Sequence, residues 1–72
     1  MKQDIRTKTV LIVEDDGWYL SRIEMLTGRV VWSRELSEAW RTRDRNKAKA
    51  VAEEYGGRLM LFNPIVWEVK AL

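Results

Sequence analysis

The sequence contains neither cysteine nor histidine. Without cysteine there is no disulfide to brace the fold and no thiolate to attack a substrate or bind zinc, which fits a reducing cytosol. Without histidine the commonest general base and the commonest transition-metal ligand are both missing. There is one proline, no linker, repeat or low-complexity tract, and no apolar run near the roughly 18 residues that cross a bilayer. Met1-Lys2-Gln3-Asp4 leads into no signal-peptide core. These absences predict a soluble cytoplasmic protein with no membrane contact, no cofactor, no bound metal and no catalytic site.

At 72 residues the chain is one small domain, because so short a chain buries only about 60% of its unfolded surface. Hydrophobic residues make up 46% and charged residues 33%, the balance of a folded chain. The net charge is +2, unevenly spread. Arg29, Arg34, Arg41, Arg43, Arg45, Lys47 and Lys49 outnumber Glu35, Glu38 and Asp44 in the middle of the chain.

Residues 1–7 are polar and aperiodic and read as a flexible arm. Thr9-Val10-Leu11-Ile12-Val13 is rich in β-branched residues and reads as a strand, turned back by Asp15-Asp16-Gly17. Trp18 to Met25 predicts a second strand, Leu26-Thr27-Gly28-Arg29 a turn, and Val30-Val31-Trp32 a third strand completing a meander. Glu35 to Trp40 allows a turn or single helical turn packing Leu36 and Trp40. Ala48, Val51, Ala52 and Tyr55 then fall at i, i+3, i+4 and i+7, one apolar stripe of a helix capped by Asp44 and stopped by Gly56. Arg58 to Phe62 predicts a strand, Asn63-Pro64 a break, and Ile65 to Val69 a last strand with Ile65, Trp67 and Val69 on one face. The expected fold is α+β, a small antiparallel β-sheet with one α-helix packed on one face, in the order βββαββ.

Val10 to Asp16 is similar to the first strand and acidic pocket of two-component receiver domains. The chain is too short for a receiver, however, and its last aspartate is Asp44, so Glu14, Asp15 and Asp16 are read as a solvated hairpin turn. A longer pattern runs from Gly17 to Gly57. It comprises Trp18-Tyr19-Leu20, then Trp32, Leu36 and Ala39, then Trp40, Thr42, Ala48, Ala52, Gly56 and Gly57. It resembles a group of small phage and prophage proteins, from which it departs by placing Thr42 six residues before Ala48 rather than four. That resemblance implies a mobile-element origin and a domain that blocks or redirects a host protein, such as an inhibitor of a defence or regulatory complex. Trp18 to Ala52 is also similar to the arm-binding domains of tyrosine integrases, which lay a three-stranded sheet in the major groove. This chain adds two strands after the helix and has no recombinase domain.

Four tryptophans exceed what so small a core takes up, so at least one is expected near the surface, where Trp and Arg dominate binding energy. Trp32 and Trp40 lie beside arginines and are the candidates. Arg41, Arg43 and Arg45 alternate, so an extended chain would aim all three one way, with Arg34 and Lys47 extending the basic surface. The expected binding set is Trp32, Arg34, Trp40, Arg41, Arg43, Arg45 and Lys47. The expected partner is a host protein, the alternative is a nucleic acid gripped by the basic stretch 29–49, and exposed strand edges leave room for a homodimer.

Overall fold

A computed structural model describes residues 8–72, and the flexible arm expected over residues 1–7 lies outside the described residues. Strand β1 (Val10–Asp15) is followed by β2 (Trp18–Ile23) and β3 (Val30–Ser33). A 3-10 turn (Leu36–Glu38), helix α1 (Arg45–Tyr55), β4 (Arg58–Asn63) and β5 (Glu68–Ala71) complete the chain. The five strands form one antiparallel sheet in the order β3-β2-β1-β4-β5.

The expected order βββαββ is overturned. A 3-10 turn stands between β3 and α1, and the chain is mostly a five-stranded antiparallel sheet with one short helix, α+β-like in class. The last strand is Glu68–Ala71 rather than residues 65–69, because residues 64–67 are taken up by a turn. Asn63 starts that turn by accepting the Ile65 N–H on its Oδ1 at 3.0 Å, Pro64 supplies no N–H of its own, and Trp67 closes it at φ 55°.

Burial on both faces of β1 explains the departure. Val10, Leu11, Ile12 and Val13 are all buried, as a continuous apolar run requires when both faces of a strand are covered. Alternate residues point to opposite faces, and two core clusters result. On one face Val13 and Leu20 pack with Val51 and Ala52 of α1, joined by Trp32, Trp40, Tyr55 and Leu59. On the far face Val10, Ile12, Met60 and Phe62 pack with Ala39, Leu36, Tyr19 and Val69. The 3-10 segment therefore does for the far face what α1 does for the helix face.

The meander is also incomplete. β1 pairs with β4 along its length, from Val10↔Phe62 to Glu14↔Arg58, but meets β2 only at Glu14↔Tyr19 and Asp15↔Trp18. Farther back the chain around Thr42 enters the gap. Leu11 N–H donates to Thr42 O at 2.8 Å, Thr42 N–H to Leu11 O at 3.1 Å, and Trp40 N–H to Leu20 O at 2.8 Å.

Helix α1 begins where Asp44 Oδ1 accepts the Lys47 N–H at 3.1 Å and buries Ala48, Val51 and Ala52. It ends at Gly56, whose φ of 82° suits the residue without a Cβ. Gly57 follows at φ 133°, and a Cβ there would lie 2.8 Å from Val13 Cγ1 and 3.1 Å from Glu14 O. That glycine lets the helix return directly onto the sheet.

Candidate functional site

The seven expected binding residues do not form one surface. Trp32 and Trp40 are half-buried on the helix face, packed against the cluster around Val13 and Leu20. The two-way bridge between Thr42 and Leu11 keeps this stretch extended, so Arg41 and Arg43 share a side and Trp40 and Thr42 take the other. Arg41 reaches the far face, its guanidinium carbon 5.2 Å from the Phe62 ring centroid. The alternation stops at Asp44, because Arg45 already belongs to α1. Arg45 borders a separate cleft of about 430 Å³ with Lys49, Arg58, Leu59, Ala71 and Leu72. Lys47 is exposed, and its backbone N–H serves the helix cap. Arg34 stacks on Trp18, 4.5 Å from the ring centroid.

The more exposed tryptophans are Trp18 at 41% and Trp67 at 55%. Trp18 faces Asp15 across β1 and β2. Since Tyr19 pairs with Ser33, Arg34 falls opposite Trp18 at the mouth of the β2–β3 pair. Trp67 meets Phe62 in a T-shaped pair, with centroids 5.1 Å apart and planes at 85°. The fully buried Phe62 ring is thus met by a second aromatic ring in T-shaped geometry and by a guanidinium, both favourable for aromatic quadrupoles.

Among the described residues the two most exposed large apolar side chains sit on one turn. Met25 and Leu26 sit between β2 and β3 at 91% and 102% exposure, and Ile65, Val66 and Trp67 occupy the turn between β4 and β5. Because β1 runs antiparallel to both β2 and β4, these turns leave the sheet at the same end, where β1 begins. The first is closed on itself: Gly28 N–H donates to Glu24 O and Glu24 N–H to Arg29 O, both at 2.8 Å, and Thr27 Oγ1 lies 3.4 Å from Glu24 Oε2. Met25 and Leu26 project from this self-bonded turn into solvent. Sequence alone assigns Met25 to a strand and treats Ile65 and Trp67 as one strand face. The Thr27-Gly28 pair is the signal that a longer turn holds Met25 and Leu26.

The opposite end is acidic and tightly turned. Asp16 and Gly17 both have positive φ, 49° and 84°, the sign pattern of the two-residue turn that matches strand twist. Glu14 holds Arg58 through two contacts of 3.3 Å, while Asp15 and Asp16 form no ion pair among the described residues. An open cleft of about 380 Å³ lies beside them, lined by Asp15, Trp18 and Trp32.

Among the described residues no three His, Cys, Asp or Glu side chains are grouped to hold a metal ion, and no helix is long and apolar enough to cross a membrane. No family model matches the chain, and no curated protein or solved structure matches it either.

Proposed function

We propose that the chain is a non-catalytic, cytoplasmic interaction module that docks a partner protein through the sheet end bearing Met25, Leu26, Ile65, Val66 and Trp67. The observation that carries this reading is the exposure of Met25 and Leu26 on a turn that closes by its own hydrogen bonds. Neither side chain contributes to the core, and burying each against a partner gives about 1.5–3 kcal/mol. Large exposed apolar side chains on two turns at one end of the sheet are the kind of surface that marks protein contacts. The finer reading, a mobile-element protein that engages a host protein and inhibits a defence or regulatory complex, rests on the Gly17 to Gly57 resemblance alone.

The nucleic-acid alternative is weaker because a phosphate track needs adjacent cations. Arg41 is engaged with Phe62, and Arg45 sits in another cleft. The test is capture from lysate of the encoding cell, with and without nuclease, by the wild type and by a Met25→Ser, Leu26→Ser, Val66→Ser variant. A defined protein held by the wild type after nuclease and lost by the equally stable variant supports the reading. Capture that disappears with nuclease, or that the variant retains, overturns it.

A further inference from the structure

A cleft lies at the acidic end of the sheet, opposite the end that bears the apolar turns. Its lining joins two indoles to one carboxylate, Trp18, Trp32 and Asp15, and strand register builds it. Asp15 pairs with Trp18, and Leu20 pairs with Trp32, so the three side chains project from the helix face within two residues of one another along the sheet. Trp32 is fixed from behind by Gly57, where a Cβ would come within 3.5 Å of its ring.

Three observations define the ligand. Asp15 is exposed and has no ion-pair partner among the described residues, and neither has Asp16 beside it. The walls are otherwise aromatic, which suits an apolar stem carrying a positive head. The chain itself already places a cation on one of these rings, with the Arg34 guanidinium stacked on Trp18. Arg34 does not line the cleft, so the cleft opens on a part of Trp18 that Arg34 leaves free. An anion would meet Asp15 and Asp16, and a purely apolar group would leave the carboxylate without a partner.

We infer that the Asp15–Trp18–Trp32 cleft binds a lysine side chain of a partner polypeptide, its methylenes against the indoles and its ammonium at Asp15. Binding of an isolated side chain is weak, and it serves specificity by rejecting partners with an acidic residue in that place.

The test follows the indole N–H resonances of Trp18 and Trp32 while the protein is titrated with acetyl-Gly-Lys-Gly-amide. The neutral norleucine analogue is titrated separately at the same ionic strength. Saturable shifts of both indoles are expected, with affinity about two- to fivefold lower for the norleucine peptide. Trp18→Leu, which keeps apolar surface but removes the ring, should lower lysine-peptide affinity by a similar factor, read at Trp32. Asp15→Asn changes an exposed residue and should do the same, also removing the preference for lysine over norleucine. Equal binding of the two peptides to the wild type, no saturable shift, or unchanged affinity in Asp15→Asn overturns the inference.

Discussion

The two ends of this sheet are made by the same strands and differ in how those strands are joined. At the acidic end β1 and β2 are connected by two residues, Asp16 and Gly17, and α1 reaches β4 through Gly56 and Gly57. Links this short carry no apolar side chain, only the exposed Asp16, and packing continues close to the edge, where Trp32 lies against Gly57. At the other end the links span residues 24–29 and 64–67 and close by their own hydrogen bonds. These turns are long enough to carry Met25, Leu26, Ile65 and Val66 away from the core. Turn length therefore decides which end is finished by folding and which is left with apolar surface to bury elsewhere.

Trp67 is the residue of the open end that stays moored, and Phe62 is its mooring. Phe62→Ala should have the largest effect, about 3–5 kcal/mol, enough to unfold so small a domain at room temperature by urea titration. A loss near 1 kcal/mol would mean that the far-face cluster is not a core. At the tight end Gly57→Ala should cost more than Gly17→Ala. Gly17→Ala carries backbone strain of about 1–2 kcal/mol for a positive φ, with nothing within 4 Å of the new Cβ. Gly57 instead lies at φ 133°, beyond the left-handed helical region, and its new Cβ meets Val13 Cγ1 and Glu14 O. Equal melting temperatures for the two variants would break the argument that the tight end is packed to its limit.

Smaller still, Glu14→Gln removes the pairing with Arg58, in which the Glu14 side chain is 13% exposed and the Arg58 side chain, which keeps the pair in contact with solvent, 64%. It should cost no more than about 1 kcal/mol, as solvent-screened pairs do, and the loss should shrink in high salt. The smallest change belongs to the open end. Met25→Ser with Leu26→Ser should leave stability within about 0.5 kcal/mol, and a drop of several would place those side chains in the fold rather than on an interaction surface.

What could be read from the sequence was local. The stripe Ala48, Val51, Ala52 with its Asp44 cap and Gly56 stop depends on residues within a few positions of each other, as does the Asp16-Gly17 turn. What could not be read was set by distant partners. Thr42 enters the sheet beside Leu11, 31 positions earlier in the chain, and this contact aims Arg41 at Phe62 and separates it from Arg45. Burial of the far face depends on Ala39 and Leu36 returning over β1 and β4, which no local period announces. The exposed tryptophans were missed for the same reason. Trp32 and Trp40 are half-buried against the helix-face cluster, whereas Trp18 stands at the sheet end, 41% exposed with Arg34 stacked on its ring.

The central claim, that the open end is a protein-docking surface, is tested most directly by a photo-crosslinking amino acid placed at Leu26 and, separately, at Glu53 on the exposed side of α1. The two proteins would be irradiated in nuclease-treated lysate of the encoding cell. The account predicts one defined protein adduct from position 26 and none of that species from position 53. Equal adducts from both positions, or crosslinks from position 53 alone, would contradict it.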